Sequence, residues 1–348
     1  MQDSRTLVLA HLDGMPVDRL PAMPITMMFA SRLAGVPYRE YCTDFRALVA
    51  GQGLVAERFG VDHVSAISDP AREAVDLGAD VTWFEDQPPA LDDARALLLA
   101  DKRRLATLRP ADPLGGGRMT DRVRGVEALR AGPGATRLVE VGGRPLRGGC
   151  GPARDRHADA RLRRRPGLRR GPLRLRRAPG HRLCGGAQVD AGADLIGVGD
   201  AAASLVGPAV YREFVLPHER QLVEAIHAMG ARVRLHICGN IRRSVRDIAT
   251  LGADIVDLDS MVPIAAARAD AGPAQVLLGN LNPVTELMDA TPGDVAARLA
   301  ACHHEAGSRF IVGAGCEVPP ATPHANLEAL TSFARGTRPG AASAEPAA

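Results

Sequence analysis

The feature that most constrains the fold is a regular alternation of short β-rich runs with helical patterns in the second half of the chain. The runs are Asp194–Val198, Val233–Ile237, Asp254–Leu258, Val276–Asn280 and Phe310–Val312. The clearest helix between them is predicted over Pro208–Met229, with a proline at its start and Gly230 placed to end it. Weaker helical patterns cover Asp247–Leu251 and Val295–Ala306. Strands that alternate with helices at this spacing predict a parallel sheet.

The first half of the chain supplies three further candidate strands, Pro24–Phe29, His63–Ile67 and Arg137–Val141. With the other five they make eight, the number of strands in a (β/α)8 barrel. An open doubly wound sheet is the competing arrangement, but no Gly-rich phosphate fingerprint follows any of the strands. We therefore predict an α/β protein with one TIM-barrel domain over residues 1–335, followed by an Ala/Gly/Pro/Ser-rich, disordered tail at 336–348.

Composition narrows the class of protein. The 348 residues, 46% of them hydrophobic, suffice for one large domain. The N-terminus lacks the basic start and long apolar run of a signal peptide, and no stretch approaches the roughly 18 apolar residues of a membrane span. The six cysteines are too few and too irregularly spaced for a disulfide framework. We expect a cytoplasmic protein with no membrane partner.

One segment, residues 141–186, breaks the strand–helix pattern. It contains 14 Arg, 2 Asp, 10 Gly and 5 Pro, without Lys or Glu, and shows neither a helical nor a strand period. Its charge is +12, which leaves −9 for the rest of a chain whose total is +3. The overall charge is therefore an average over two unlike parts, and it does not predict a general nucleic-acid role. Such a composition buries too little apolar surface to order itself.

Three interpretations of this segment remain open. It is a basic loop that binds RNA, phosphate or an acidic partner, or a disordered insertion without a role. The interpretation we favour concerns the gene: Arg, Gly, Pro, Ala and Leu dominate when GC-rich coding DNA is translated out of frame, and ordinary sequence returns abruptly at Ala187. Two compensating indels explain both edges. An intact frame with synonymous drift in related strains would contradict this hypothesis.

Residues suited to a metal site follow two of the predicted strands. His236 and Cys238 stand two apart at one strand end, so their side chains point to the same side, and Cys316 follows another strand. Barrels place active sites at the carboxyl ends of their strands, where these three side chains can meet. Three N/S ligands with a fourth position open are typical of catalytic zinc. The alternative is two inert buried cysteines and a core histidine.

At these residues the chain resembles the uroporphyrinogen decarboxylase superfamily, and within it the methylcobamide:coenzyme M methyltransferase-like branch. The matching pieces are Gly192–Asp200, Tyr211–Pro217, His236–Asn240, Gly279–Pro283, Gly315–Glu317, Thr322, Pro323 and Asn326, with weaker matches at Asp18, Arg19, Ser68–Pro70 and Gly78–Asp80. The resemblance implies that His236, Cys238 and Cys316 hold Zn²⁺. It also implies that a zinc-activated thiol, such as coenzyme M, accepts a methyl group from a methylated corrinoid on a carrier protein.

Other polar residues are candidates by position. Glu317 and Asn240 adjoin the ligands and are predicted to contact them or the substrate. Asp200, Asp259 and Asn280 stand at strand ends, where each lines a cofactor pocket or caps a helix, and capping is favoured for Asp200.

A decarboxylase is the alternative enzyme within the same superfamily. Asp69 falls where the decarboxylases keep an essential aspartate, although Ser68–Pro70 also reads as an ordinary turn. The decarboxylases meet a substrate rich in carboxylates with an Arg-rich N-terminal motif, whereas the matching stretch here, Pro24–Arg32, offers a single Arg. A third function, RNA or phosphate binding through residues 141–186, predicts binding that weakens steeply with salt. A fourth is a non-catalytic barrel that only docks a corrinoid protein. We favour the zinc methyltransferase.

Overall fold

A computed structural model of the chain describes residues 2–69, 71–91, 111–143 and 179–341, and it shows a parallel sheet wound into an α/β barrel. The strands are β1 His63–Ser65, β2 Val81–Thr82, β3 Ala90–Leu91, β4 Leu138–Gly143, β5 Leu195–Gly199, β6 Arg232–Ile237, β7 Ile255–Leu258, β8 Val276–Leu281 and β9 Phe310–Ala314. Seven of them form one parallel sheet in the order β1-β4-β5-β6-β7-β8-β9, and β2 and β3 form a separate antiparallel pair. The predicted fold class is confirmed, and seven of the eight predicted strands are present.

The eighth strand, predicted at Pro24–Phe29, is wrong in position and length. A single parallel bridge joins Ala22 to Val312 of β9, and the Ala22 carbonyl accepts the Asp62 N–H just before β1. These residues therefore take the eighth place, between the last strand and the first. Pro21 and Pro24 lack N–H donors, which confines the ladder to the two residues between them, and a helix begins at Met27.

Helices follow most of the strands. They are α1 Ser4–Leu12, α2 Met27–Ala34, α3 Tyr38–Thr43, α4 Phe45–Phe59, α5 Arg72–Asp76, α6 Arg118–Ala131, α7 Pro179–Asp190, α8 Pro208–Val210, α9 Leu216–His227, α10 Val245–Ala249, α11 Ile264–Ala271, α12 Pro292–Ala306 and α13 His324–Gly336. The helix predicted over Pro208–Met229 is present, with a π-helical turn at Tyr211–Val215 between α8 and α9. Among the helices that the structure describes, none combines the length and apolar character needed to cross a membrane.

The edges of the Arg-rich segment are ordered, contrary to the prediction that the whole of 141–186 lacks regular structure. Strand β4 runs through Val141 to Gly143, and α7 begins at Pro179 and packs between α6 and α9. The segment's edges gain order because they continue a strand and a helix that the rest of the barrel buries. Residues 144–178 lie outside the described residues. In the predicted tail, Pro339–Ala341 forms a 3₁₀ turn, and 342–348 lie outside the described residues.

The barrel interior has an apolar floor at the amino ends of the strands. Five different strands and the eighth-place segment each send buried side chains into one cluster, which only the inside of a barrel allows. We define the floor as Met23, Leu138, Leu195, Ile255, Val276, Leu278 and Ile311. Val8 and Leu12 of α1 pack against it from below. A second, larger apolar cluster lies between the sheet and the outer helices.

Candidate metal centre

His236 and Cys238 lie at the carboxyl end of β6, as the sequence predicts. Their donor atoms, His236 Nε2 and Cys238 Sγ, are 3.1 Å apart. Gly239 follows with φ +92°, a backbone conformation that favours glycine, and its N–H donates to Asp259 Oδ2 at 2.8 Å. The turn that carries Cys238 is thus anchored on the loop after the neighbouring strand β7.

Cys316 reaches the pair because the preceding residue is glycine. A Cβ built at Gly315 would lie 2.3 Å from the Ser260 backbone nitrogen, so the loop after β9 passes against the loop after β7 at a distance that no other residue permits. The donor atoms of His236, Cys238 and Cys316 then all lie within 4.8 Å of one another, and each side chain is partly exposed.

This donor set fits a zinc ion. Zinc binds imidazole nitrogen at about 2.0 Å and thiolate at about 2.3 Å, which places neighbouring donors of a tetrahedron roughly 3.5 Å apart. Two thiols and one imidazole favour zinc over magnesium or manganese, which prefer oxygen ligands. Three protein ligands leave a fourth position for a substrate. Within the described residues, this is the group of His, Cys, Asp or Glu side chains that meets the geometric requirement for a metal.

The charges around the three donors also suit a cation. Burial lowers the pKa of His236, but the facing Asp257 carboxylate outweighs burial and raises that pKa to about 10. Hydrogen bonding with Cys238 and then burial raise the pKa of the Cys316 thiol. A cation bound here would compete with protons for the same nitrogen and sulfur atoms.

The second ring nitrogen of His236 faces the barrel interior. Nδ1 lies 3.2 Å from Oδ2 of Asp257, on β7, and this leaves Nε2 directed toward the cysteines. A carboxylate behind a histidine ligand is the usual partner that fixes the ring in metal sites. Beside them, a Cβ built at Gly199 of β5 would meet nothing within 4 Å, and Gly199 is the register partner of His236. There is open space next to the imidazole.

Glu317 and Asn240 are held differently from each other. Glu317 Oε1 accepts the Met28 N–H at 2.7 Å, which ties the Cys316 loop to the start of α2. Burial raises the pKa of Glu317 to about 7, although the Met28 N–H acts in the opposite direction. Asn240 Oδ1 accepts the Arg242 N–H at 3.2 Å and so closes a local turn. Glu317 remains a candidate for substrate contact. The side-chain carbonyl of Asn240 is instead engaged by the Arg242 N–H.

The three predicted cofactor residues serve the loops in this structure. Asp200 Oδ1 accepts the Ala203 N–H at 3.2 Å, which is the capping role considered above. Asp259 anchors Gly239, as described. Asn280 Nδ2 donates to the carbonyls of Asp259 and Val262, at 3.1 and 2.7 Å. Asp259 and Asn280 therefore hold the loop against which Gly315 packs, and their predicted contact with a cofactor remains a prediction.

Asp69 lies in a buried ion pair. Arg118 donates to both of its oxygens, at 2.9 and 2.6 Å, and the Ser68 hydroxyl and the Ala71 N–H donate as well. Although burial works against ionisation, Arg118 and Arg72 hold the pKa of Asp69 well below its usual range. The Asp69 side chain is 0% exposed, so its carboxylate faces arginine rather than a cavity.

Several residues at the centre are not among the predicted site residues. Asp257, Arg234 and Gly315 bear directly on the position of the ligands, as does Glu140 through Arg234. One signal was present: Arg234, His236 and Cys238 follow a period of two, which puts an arginine on the inward face of a barrel strand.

Comparison with known proteins identifies the family. The sequence model of the family "Uroporphyrinogen decarboxylase (URO-D)" matches residues 3–142 and 184–337. The chain belongs to the uroporphyrinogen decarboxylase family. The two matched blocks leave out residues 143–183, which nearly coincide with the Arg-rich segment.

Relatives within the family include both predicted enzyme classes. Methylcobamide:CoM methyltransferase MtbA of Methanosarcina mazei is 32% identical over 161 residues, 44% of this chain and 44% of that protein. Uroporphyrinogen decarboxylase of Gloeobacter violaceus is 33% identical over 141 residues, 40% of each chain. The chain thus aligns with less than half the length of these relatives. The predicted resemblance to the superfamily and to its methyltransferase branch is confirmed.

A solved structure confirms the fold over the whole barrel. The chain superposes on a methyltransferase from Methanosarcina mazei with a TM-score of 0.77, covering 97% of this chain and 99% of that one at 20% identity.

Proposed function

We propose that this protein is a zinc-dependent methyltransferase that moves a methyl group from a methylated corrinoid, carried by a partner protein, to a small thiol such as coenzyme M. The observation that carries the proposal is the convergence of His236, Cys238 and Cys316 within 4.8 Å at the carboxyl ends of β6 and β9. The likeness to a methylcobamide:CoM methyltransferase supports it.

The protein's own residues divide the work of such a reaction. His236, Cys238 and Cys316 would hold the metal, Asp257 would orient the imidazole, and the open space beside Gly199 would receive the thiol. When bound, zinc lowers the pKa of a coordinated thiol, which makes it a nucleophile at neutral pH. In such a transfer the thiol would lose its proton to solvent, the carbon–sulfur bond would form, and the carbon–cobalt bond would break with its electron pair remaining on the corrinoid.

The decarboxylase alternative has less support in the structure. Both oxygens of Asp69 are engaged by Arg118, so this carboxylate is not offered to a substrate. In addition, Arg32 is the single arginine in the stretch that matches the Arg-rich motif of the decarboxylases.

Parallel assays on one preparation separate the two enzymes. We expect stoichiometric zinc by metal analysis, and consumption of methylcobalamin when a small thiol such as coenzyme M is supplied, with methyl thioether as the product. Incubation with uroporphyrinogen should release no carbon dioxide. Zinc-free protein that decarboxylates uroporphyrinogen would overturn the proposal in favour of the alternative.

A role for the Arg-rich segment in binding RNA or phosphate is the remaining alternative. Binding through Arg side chains weakens steeply as salt increases, because counterions compete for the phosphates. RNA binding that does not depend on salt, or that survives deletion of 144–178, would exclude this role.

A further inference from the structure

A layer of charged and titratable side chains fills the barrel between the apolar floor and the metal centre. It consists of His63 on β1, Glu140 on β4, Arg234 on β6 and Asp257 on β7. All four side chains are buried, with exposures of 3% or less. We call this set the charged layer. It lies one step along the strands from the floor, since Leu138 precedes Glu140 and Ile255 precedes Asp257 by two residues.

Arg234 joins the two carboxylates of the layer. Its Nη1 donates to Glu140 Oε2 at 2.9 Å, while Nε and Nη2 both donate to Asp257 Oδ2, at 2.9 and 2.7 Å. The same Asp257 oxygen lies 3.2 Å from His236 Nδ1. At the other end, His63 Nε2 lies 3.5 Å from Glu140 Oε2. The contacts therefore run without a break from β1, through β4, to the histidine of the metal centre.

The charged layer is a costly way to fill a barrel. Buried ion pairs often stabilise no more than apolar side chains of similar volume. Within the described part of the chain, Glu140 Oε1 and Asp257 Oδ1 also accept no hydrogen bond, and a buried polar atom without a partner destabilises the folded state. Gly197 leaves the room that Glu140 needs, because a Cβ there would lie 2.8 Å from Oε1. Stability alone does not explain this arrangement.

We propose that Glu140, Arg234 and Asp257 are positioning residues that fix the imidazole of His236, with Nδ1 toward Asp257 and Nε2 toward the two cysteines. Arg234 sets the position of the shared Asp257 oxygen with two N–H groups, and Glu140 sets the position of Arg234. The inference rests on the metal site of the proposed function, and it adds the residues that orient one of its ligands.

The test replaces each of the three positioning residues and measures metal binding by the purified full chain. Co²⁺ serves as a spectroscopic probe, and Zn²⁺ affinity is measured in competition with a chelator. The variants are Asp257→Asn, Arg234→Met, Glu140→Gln and the conservative Arg234→Lys. The matched control is Arg19→Met, which breaks a different, half-buried pair, with Asp62, at the amino end of β1. Unfolding free energies are measured alongside.

We expect Asp257→Asn and Arg234→Met to weaken Zn²⁺ binding by about 10- to 100-fold, the usual effect of removing a partner of a ligand. The ligand-field bands of bound Co²⁺ should shift in the same variants, Arg234→Lys should recover part of the affinity, and Glu140→Gln should have the smallest effect. Arg19→Met should lower stability yet leave affinity and spectrum unchanged.

Four results would overturn the inference. If the folded variants bind Co²⁺ with wild-type affinity and spectrum, or if Arg19→Met changes both as much as Arg234→Met does, then the layer is structural only. If only Glu140→Gln and Arg234→Lys fold, an unchanged Co²⁺ spectrum in both would likewise show that the layer is structural only. A wild-type protein that binds no Co²⁺ through thiolates overturns this inference and the proposed function together, whereas intact metal binding without methyl transfer overturns the proposed function alone.

Discussion

At the amino end the inside of the barrel is apolar and covered by α1, whereas at the carboxyl end it is charged and leads to the three candidate metal ligands. Strand β7 shows the contrast within two residues, because Ile255 lies in the floor and Asp257 in the charged layer. The difference teaches that a single strand serves two purposes: the floor contributes hydrophobic stability, and the charged layer carries polar groups into the barrel at a cost in stability.

The largest effect should come from removing a ligand. Cys316→Ala leaves two donors, so we expect loss of stoichiometric zinc and a fall in thiol methylation of more than about 100-fold, beyond what the loss of a ligand's partner costs. Metal analysis and the methylcobalamin assay measure both. The matched control is Cys42→Ala, the same change at a buried cysteine outside the three-residue group. Equal zinc contents in the two variants would contradict the assignment of Cys316.

The floor should show the opposite pattern. Ile255→Ala removes buried methyl groups at a fully buried position, so we expect the free energy of unfolding to fall by about 2–5 kcal/mol. Zinc content of the folded variant should not change, because Ile255 belongs to the floor, at the end of the strands opposite the candidate ligands. Urea unfolding measures the first quantity and metal analysis the second. A variant of normal stability that loses zinc would contradict the assignment of Ile255 to a purely stabilising role.

The close approach at Gly315 should connect the two loops to catalysis. In Gly315→Ala the new methyl group meets the Ser260 backbone, so Cys316 must shift and methyl transfer should fall by as much as about 100-fold. Gly336→Ala is the control, since a Cβ there meets nothing within 4 Å. The rate of methylcobalamin consumption measures methyl transfer in both variants. If both variants keep the wild-type rate, the position of Cys316 does not depend on this contact.

The smallest effect concerns pH and the amino end. Burial and then Arg309 lower the pKa of His11, in α1, to about 4. The folded state therefore resists protonation: its stability is complete above the unfolded pKa of about 6.5 and declines as the pH falls toward 4, by up to about 1.4 kcal/mol per pH unit. His11→Gln should remove this part of the slope in unfolding measured between pH 7 and 5. An unchanged slope would show that other groups cause it.

The fold was predictable because a parallel barrel repeats one local signal. Seven strands were visible as short β-rich runs, since strands buried on both faces are continuously apolar. The place of the eighth was not visible, because Pro21–Met23 forms only a bridge and its role depends on Val312 and Asp62, which are distant in the sequence.

The composition of the Arg-rich segment has to be compared with that of the whole chain before it is interpreted. It has no lysine, but the chain contains a single lysine, Lys102, so that absence adds nothing to the frameshift hypothesis. The gap between the two matched family blocks, residues 143–183, shows that the segment departs from the family pattern, as all three interpretations predict. Sequencing the coding DNA remains its test.

What the sequence determined by itself was one pair of candidate donors, since residue type and a period of two already direct His236 and Cys238 to the carboxyl end of one strand. Only the tertiary structure decided that Cys316 meets them, because that depends on the approach of Gly315 to Ser260 across two loops. It also decided that Asp69 is paired and that Asp257 and Arg234 face His236. Contacts across the inside of a barrel join residues from different strands, and no local pattern in a chain encodes them.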